Sequence, residues 1–187
     1  MPEAVRYTIF QTGWGHFGLV GNESGLRRTC LPMAQARQVE SLLLESHPTA
    51  LYDRRLFQTL RRQIIAYFDG ACVNFNRDIP ILLEGLSPFA HSVLTACRNV
   101  RYAETISYGE LAAKVRCPKA ARAIGGLLAR NPTPLIIPCH RVVRGDGKIG
   151  GFSAAGGIPL KRRMLEIEER TNSSAVWSIP GSRSSLG

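Results

Sequence analysis

Alternating apolar residues near the N-terminus predict short β-strands over residues 5–32. Val5, Tyr7 and Ile9 are separated by more polar positions, as in a strand with one buried face. A glycine-rich bend then leads into HFGLVG, and the turn sequence NESG precedes LRRTCLP. Apolar runs separated by such turns predict neighbouring strands of a small sheet.

Two helices are predicted after these strands, over residues 35–46 and 53–68. The second has apolar residues at helical spacing, and Gly70 can end it: Leu56, Leu60, Ile64 and Phe68. Residues 71–81, ACVNFNRDIPI, predict another strand that is broken by proline. Residues 1–85 are therefore expected to form an α/β or α+β domain with a small β-sheet, and the pattern does not choose between the two classes.

The pattern becomes mainly helical in residues 86–170, which we expect to form a second domain. Ser87-Pro88 has the residue types of an N-cap and a first helical position. SYGE, residues 107–110, has the spacing of a capping box and opens a short helix. The turn RCP and the segment KAARAIGGLLAR then predict a helix-turn-helix.

The C-terminal part is predicted to contain one more helix and a tail. The helix is expected to run from Pro159 to Arg170. Residues 171–187 are rich in serine and predict a disordered tail.

Composition and charge narrow the classes of function. The 187 residues are 44% hydrophobic, which is enough for a buried core, and no apolar run is long enough to span a membrane. The first residues lack the pattern of a secretory signal, so we expect the protein to stay in the compartment where it is made. The net charge of +10 favours a polyanionic partner, although a basic protein with no nucleic-acid role remains an alternative.

The cysteines favour a reducing compartment. There are five, without a CxxC pair, and this suits neither a disulfide framework nor a structural zinc site: Cys30, Cys72, Cys97, Cys117 and Cys139. Four of them fit the role of small apolar side chains. Cys139 differs because His140 adjoins it.

The segment NPTPLIIPCHRVV, residues 131–143, is the strongest candidate for a reaction site and is named the active-site segment. Its apolar run stops at Pro138 and presents a thiol beside an imidazole. Neighbouring strand residues point to opposite faces, so Cys139 and His140 can share a site only if the chain leaves the strand at Pro138. A free thiol has a pKa of about 8.5, so a nearby base would increase its thiolate fraction. By itself, however, a Cys-His pair is more often structural than catalytic.

The segments around Cys139 and His140 indicate a particular protein family. ISYGELAAKVRCPKAARAIGGLLAR precedes it, and GDGKIGGFS and LKRRMLEIE follow. With these segments the chain resembles the O6-alkylguanine-DNA alkyltransferases, DNA-repair proteins whose hallmark is PCHRV. The resemblance covers residues 86–170, and more loosely residues 5–84 through GWGHFGLVG, GLRR and LRRQIIAYFDG. It implies a ribonuclease H-like N-terminal domain and a winged-helix-like C-terminal domain.

The resemblance also implies catalytic roles. Cys139 would be the thiolate that accepts the alkyl group in one in-line step. His140 would take the thiol proton through a water, and Glu168 would orient His140 and balance its charge. Tyr108 would neutralise charge on the departing base. Asn131 would hold the turn that leads to the active-site residues. Without the resemblance, Glu168 would be a surface carboxylate, Tyr108 a core aromatic and Asn131 a turn residue.

Further residues are expected to bind guanine and DNA. The carbonyls of Cys139 and Val142 would line the guanine pocket with Ser153, and Phe152 would form its wall where some members have tyrosine. Arg122 would fill the space left by a flipped base; otherwise it would contact phosphate. Other residues of the second helix of the helix-turn-helix, mostly small, are expected to lie against the minor groove: Lys119, Ala120, Ala121, Ala123 and Gly125. The Arg141–Asp146 pair would either form a salt bridge or be exposed.

These roles predict a single-use repair protein. A thioether is stable, so the thiol would not be regenerated, and no nucleotide-binding motif indicates a cofactor. No metal is predicted. The expected partner is double-stranded DNA carrying O6-alkylguanine, with O4-alkylthymine as a further candidate substrate. We expect a monomer with no membrane association, in the cytoplasm with the nucleoid in a prokaryote or in the nucleus in a eukaryote.

Three alternative functions remain at this point. A lesion-binding relative without alkyl transfer would lack the reactive cysteine, and Cys139 is present. A cysteine hydrolase would need an oxyanion site and would leave the helix pair unexplained. A helix-turn-helix transcription factor would need base-reading side chains, and the second helix has no asparagine or glutamine.

Overall fold

The computed structural model describes residues 3–75 and 79–176. Its first half contains a four-stranded sheet of order β3-β2-β1-β4, in which the first three strands form an antiparallel meander and β4 is parallel to β1. The strands are β1 (Arg6–Thr12), β2 (Gly15–Asn22), β3 (Gly25–Met33) and β4 (Leu51–Tyr52). The strands predicted within residues 5–32 are therefore confirmed.

Two helices accompany this sheet, α1 (Ala36–Ser46) and α2 (Gln58–Phe68). Helix α1 lies very close to β2, because a Cβ on Gly18 would be only 2.5 Å from Cγ1 of Val39. Helix α2 begins later than the predicted residue 53. Strand β4 takes residues 51–52, and Phe57 stands in the left-handed region with φ of 50°, so the helix cannot extend back through it.

The strand predicted for residues 71–81 is absent from the described part of that segment. Only Ile81 forms an isolated bridge, with Leu26, flanked by hydrogen bonds from Leu26 N to Pro80 O and from Leu82 N to Leu26 O, both 2.8 Å. Pro80 has no N–H to donate, so a longer ladder through it is disfavoured. Residues 76–78 lie outside the described residues.

The second half is mainly helical, as predicted. Its elements are α3 (Pro88–Arg98), β5 (Ile106–Ser107), α4 (Tyr108–Lys114), α5 (Ala121–Leu128), a 3-10 helix (Cys139–Arg141), β6 (Val142–Val143) and α6 (Gly157–Val176). Strands β5 and β6 pair in parallel, Ile106 with Val142, which places the start of α4 beside the 3-10 helix.

Both predicted N-caps are present. The Ser87 hydroxyl accepts from the N–H of Ala90 at 3.2 Å at the start of α3. At α4, the Ser107 hydroxyl accepts from the N–H of Glu110 at 3.1 Å, and Glu110 Oε2 accepts from the N–H of Ser107 at 2.7 Å. This is the reciprocal capping box.

The prediction of a disordered tail from residue 171 is wrong over residues 171–176, because α6 continues to Val176. The Thr171 hydroxyl donates to the carbonyl of Ile167 at 2.8 Å and lies 3.0 Å from the carbonyl of Gly70. Contacts of this kind tie the end of α6 to the end of α2. Residues 177–187 lie outside the described residues.

One hydrophobic cluster crosses the predicted domain boundary at residues 85 and 86. Core residues of the sheet and α2, such as Phe17 and Ile64, share it with Leu135, Ile136 and Met164 from the second half. The division into two domains stays a prediction. Leu135 and Ile136 of the active-site segment pack against residues of the sheet and α2. No described helix is long and apolar enough to span a membrane.

Candidate active site

The active-site segment changes direction at Pro138, as predicted. Leu135, Ile136 and Ile137 are buried, and Pro138 has φ of −79° and ψ of 63°. These are the angles of an inverse γ-turn, and the N–H of Cys139 donates to the carbonyl of Ile137 at 2.8 Å. The turn starts the 3-10 helix that carries Cys139 and His140.

Asn131 holds this turn and also reaches the thiol. Its Nδ2 donates to the carbonyl of Ile137 at 2.8 Å and to Sγ of Cys139 at 3.2 Å. Its Oδ1 accepts from the N–H of Thr133 at 3.0 Å, which fixes the orientation of the amide. The amide therefore joins the chain before the turn to the sulfur after it.

His140 and Glu168 form a buried pair behind the thiol. Nε2 of His140 lies 2.8 Å from Oε1 of Glu168, and both residues are fully buried. Nδ1 of His140 has no hydrogen-bond partner among the described residues. Glu168 is thus not the surface carboxylate that its charged neighbours in sequence would indicate.

Five donors among the described residues surround the Glu168 carboxylate. Arg141 donates from Nε to Oε2 and from Nη2 to Oε1, both at 2.9 Å. The Tyr67 hydroxyl donates to Oε1 at 2.8 Å, the N–H of Ala103 to Oε2 at 3.1 Å, and His140 supplies the fifth. A buried carboxylate needs such compensation for the water it has lost.

The Arg141–Asp146 salt bridge does not form, and of the two residues only Asp146 is exposed. Arg141 is buried, and besides Glu168 it binds the carbonyl of Val100 at 2.8 Å. Asp146 instead pairs with Arg144 at 2.9 Å on the surface. Spacing in the sequence favoured the nearer acid, whereas α6 brings Glu168 to the guanidinium in the folded chain.

The electrostatics keep the carboxylate charged and the imidazole neutral. Burial raises the pKa of Glu168, but the hydrogen bonds from His140 and Arg141 and the charge of Arg141 outweigh it and lower the pKa to about 2. Burial lowers the pKa of His140 by more than the hydrogen bond with Glu168 raises it. His140 is therefore a neutral base beside an ionised carboxylate.

The thiol of Cys139 is protonated at rest. Burial raises its pKa, and this outweighs the hydrogen bond from Asn131 and the charge of Lys161, both of which lower it. A nucleophilic role thus requires a base at the moment of reaction.

A cleft of about 1450 Å³ opens at Cys139. Six other residues predicted for the site line this cleft. They come from α4, α5 and the chain before α6: Tyr108, Ala121, Arg122, Gly125, Phe152 and Ser153. The ring of Tyr108 lies close to α5, since a Cβ on Gly125 would be 3.7 Å from its Cε1. Arg122 is exposed at this cleft.

Four of the residues predicted to bind guanine or DNA do not line the cleft. Val142 is buried, and its carbonyl accepts from Nζ of Lys161 at 2.6 Å. The carbonyl of Cys139 accepts from the N–H of Val142. Both carbonyls keep a second lone pair. The other three lie around the start of α5, outside the cleft lining: Lys119, Ala120 and Ala123.

Comparisons with known proteins agree with this geometry. Residues 88–170 match the family model described as 6-O-methylguanine DNA methyltransferase, DNA binding domain. The chain is 34% identical over 164 residues to the methylated-DNA–protein-cysteine methyltransferase of Methanosarcina acetivorans, covering 88% of this chain and 98% of the relative.

The chain belongs to the 6-O-methylguanine DNA methyltransferase family.

Relatives from Mycobacterium tuberculosis resemble the chain in sequence and structure. The methylated-DNA–protein-cysteine methyltransferase of that organism is 42% identical over 165 residues, covering 88% of this chain and 93% of the relative. The crystal structure of Mycobacterium tuberculosis OGT in complex with DNA superimposes with a TM-score of 0.75 at 33% identity, covering 89% of this chain and 94% of that one.

Sequence reasoning missed Lys161 as a site residue of this family member. Lys161 is fully buried, and its Nζ also lies 3.3 Å from the carbonyl of Gly151. Burial lowers its pKa to about 8. A signal was present, because Lys161, Met164 and Glu168 follow the i, i+3, i+7 spacing of one helical face and all three are buried. A lysine or glutamate on such a buried face needs a polar partner, because these residues are almost never fully buried unless they are paired.

Tyr67 and Arg141 were also missed as partners of Glu168. Tyr67 lies 101 residues before Glu168 in sequence, and its hydrogen bond depends on the packing of α2 against α6. No local pattern in the sequence could have predicted that contact.

Proposed function

We propose that this protein repairs DNA by transferring an alkyl group from O6 of guanine to Sγ of its own Cys139. The observation that carries the proposal is the thiol at the cleft with the buried His140–Glu168 pair behind it. The named relatives are methylated-DNA–protein-cysteine methyltransferases, and one similar structure contains DNA. Both facts support the same reaction.

The reaction forms one bond and breaks one. Sγ attacks the alkyl carbon in line, the carbon–O6 bond breaks, and its electron pair leaves with guanine. The thiol proton passes through a water to Nδ1 of His140, the ring nitrogen that has no partner among the described residues. Nε2–H meanwhile donates to Glu168, which stabilises the imidazolium that forms.

Charge on both reacting groups is offset by neighbouring residues. The amide of Asn131 and the ammonium of Lys161 favour the developing thiolate, since both lower the pKa of Cys139. On the other side, the Tyr108 hydroxyl would donate its proton to the departing guanine. Burial and the nearby thiols raise the pKa of Tyr108, so it stays protonated as a donor needs to be.

The guanine pocket is assigned to the cleft walls. Phe152 and Ser153 line it, and Ser153 is fixed by a hydrogen bond to the carbonyl of Ala129. The free lone pairs of the Cys139 and Val142 carbonyls are the acceptors for the guanine amino group. The product is a thioether, so each molecule acts once.

DNA would bind along α4 and α5, with α5 in the minor groove. The exposed face of α5 consists of small residues around Arg122, which allows close approach to a narrow groove. Because Cys139 is 7% exposed, a base within a duplex must be flipped out to reach it, and Arg122 would fill the gap. Lys119, Ala120 and Ala123 would contact the neighbouring backbone.

The fold of each half, the oligomeric state and the cellular compartment can also be proposed. The sheet order, with β4 parallel to β1, supports a ribonuclease H-like N-terminal domain, and the α4–α5 pair followed by β6 supports a winged-helix-like C-terminal domain. We propose a monomer that acts on double-stranded DNA, in the cytoplasm with the nucleoid or in the nucleus according to the cell type.

The intact mass of the protein tests the proposal. After incubation with a duplex that carries O6-methylguanine, the mass should increase by one methylene group, and peptide mapping should place it on Cys139. Cys139→Ala should bind the same duplex without any gain in mass. Modification of Cys72 or Cys117, the two cysteines that are not buried, would contradict the assignment, and binding without modification would indicate a lesion-recognition protein.

A further inference from the structure

Tyr67 connects the first half of the chain to the reaction centre. It lies in the last turn of α2, and its hydroxyl is 2.8 Å from Oε1 of Glu168. The same oxygen is 2.8 Å from Nε2 of His140. One carboxylate oxygen therefore accepts from the imidazole of the second half and from a phenol of the first.

The packing of Tyr67 gives this contact a fixed geometry. The residue is fully buried, and its ring packs at 5.1 Å from Phe68 and at 6.2 Å from Tyr102, both edge-on. Burial, and then the charge of Glu168, raise the pKa of Tyr67 well above its ordinary value. The hydroxyl is therefore a permanent donor, held in place by its ring.

We propose that Tyr67 is a positioning residue for alkyl transfer, which holds Glu168 towards His140 and draws negative charge from the oxygen they share. A carboxylate with less charge on Oε1 attracts a proton to His140 less strongly, so the imidazole stays neutral and can accept the thiol proton. The inference rests on the proposed function. It makes α2 a supporting part of the reaction site.

Other groups also act on His140 and are kept constant in the test. Arg141 of the 3-10 helix and Lys161 of α6 lower the pKa of His140, and Glu168 of α6 raises it. Cys139 lies beside it, and the N–H of Ala103 and the ring of Tyr102 come from the chain between α3 and β5. Replacing Tyr67 by phenylalanine removes only its hydroxyl and leaves all of these groups in the protein.

The test compares Tyr67→Phe with the matched variant Tyr102→Phe. Both remove one buried hydroxyl from the same aromatic cluster, but that of Tyr102 is not one of the five donors to Glu168. The first measurement is the pKa of His140 by NMR, which is independent of transfer. We expect Tyr67→Phe to raise it by about one unit and Tyr102→Phe to leave it unchanged.

The second measurement is the rate of transfer from an O6-methylguanine duplex against pH. A His140 pKa raised by about one unit lowers the neutral fraction about tenfold at pH values below both pKa values and not at all above them. Tyr67→Phe should therefore be about tenfold slower on the acid side and near wild type at high pH. A uniform loss at every pH, or an unchanged profile, would overturn the inference, because a purely structural effect does not move the acid limb.

A third variant covers the case in which Tyr67→Phe does not fold. Fluorinated tyrosine at position 67 keeps the shape and is a stronger donor, so it should lower the pKa of His140 below that of the wild type. No change in that pKa would refute the role of Tyr67. If the proposed function were wrong, wild-type protein would gain no methylene group from the duplex. The pKa values of His140 in the wild type and the variants could still be compared, so the two failures are distinguishable.

Discussion

Glu168 is a charged side chain on the buried face of α6, and its donors explain how the fold tolerates it. Arg141 supplies two of the five hydrogen bonds and the compensating charge. Removing one partner of a buried pair is costly because the other charge is left without compensation. The residue therefore stabilises the native state as well as serving His140.

Stability should depend on the ionisation of Glu168. Its pKa is about 2 in the folded chain, against 4.5 for an ordinary glutamate. A carboxyl with a lowered folded pKa contributes stability that is complete above the unfolded pKa and is lost as the pH falls through the folded one. The contribution is about 3 kcal/mol. Glu168→Gln should thus be less stable at neutral pH, with the difference narrowing by about that amount during acidification.

Urea unfolding of wild type and Glu168→Gln at several pH values measures this difference. The variant has no titrating group at position 168. The pH dependence of the difference in free energy of unfolding therefore reports on the Glu168 carboxyl alone. Glu166→Gln is the matched control, since Glu166 is on the exposed side of the same helix, where it pairs with Arg170 at 3.7 Å. A difference in stability that is constant with pH would contradict a lowered pKa for Glu168 in the folded chain.

At the scale of elements, local rules account for the position of α4. The Ser107–Glu110 capping box starts the helix directly after β5, whose pairing with β6 brings Tyr108 to the cleft. The cap thus contributes to the placement of a proposed catalytic hydroxyl, as well as to helix stability.

Ser107→Ala should lower the free energy of unfolding by about 1 kcal/mol, because the N–H of Glu110 loses its acceptor. Ser92→Ala is the control: Ser92 is exposed within α3, and its hydroxyl only donates to the carbonyl of Pro88. Its effect should stay within about 0.5 kcal/mol. Equal losses from both changes, measured by urea unfolding, would show that the capping box has no special role.

Helix α5 provides a test of base flipping. Arg122→Ala should slow transfer from duplex DNA much more than it weakens binding to undamaged duplex, because unstacking a base costs a few kcal/mol. Transfer from free O6-benzylguanine needs no flipping and should be nearly unaffected. The measurement is the ratio of the two rates at saturating DNA.

An exposed arginine in the turn between α4 and α5, Arg116, is the control for charge. Arg116→Ala should reduce DNA affinity and lower the salt slope by about one unit, without changing the rate ratio. If Arg122→Ala behaves in the same way, Arg122 is a phosphate contact.

At the scale of the whole molecule, the shared hydrophobic cluster makes the two halves depend on each other. Leu135 and Ile136 of the active-site segment and Met164 of α6 pack among residues of the sheet and α2. Hydrogen bonds from Thr29 to the carbonyls of Pro132, at 3.0 Å, and Pro134, at 2.7 Å, join the same surfaces. The geometry behind Cys139 is therefore supported by the first half of the chain.

Unfolding should accordingly be a single transition. The reactivity of the buried Cys30 of β3, which packs among residues of the first half, reports on that half, and the reactivity of Cys139 reports on the second. The two midpoints in urea should coincide, and Met164→Ala should lower the free energy of unfolding from both probes equally, by about 2–5 kcal/mol, because it opens a cavity in the shared cluster. Two separate transitions would show that the halves fold independently.

The sequence by itself determined the local elements and the identity of the chemistry. Capping residues, turn residues and apolar spacing act within a few positions, so α1, α3, α4 and the strands of the meander follow from them. Local patterns did not predict every helix end: Phe57 shortened α2, and α6 continued beyond Arg170, where Thr171 contacts Gly70 in the turn after α2. The pair Cys139 and His140 was visible because both lie in one turn.

Only the tertiary structure decided what surrounds that pair. The partners of Glu168 are Tyr67, Ala103, His140 and Arg141, which come from separate parts of the chain. Long-range packing of α2, α6 and the 3-10 helix brings them together, and this packing depends on the complementary shapes of buried surfaces and has no periodic pattern in the sequence. The same packing excludes water from His140 and Glu168, which keeps the imidazole neutral, and it places Arg141 against the carboxylate, which keeps Glu168 charged.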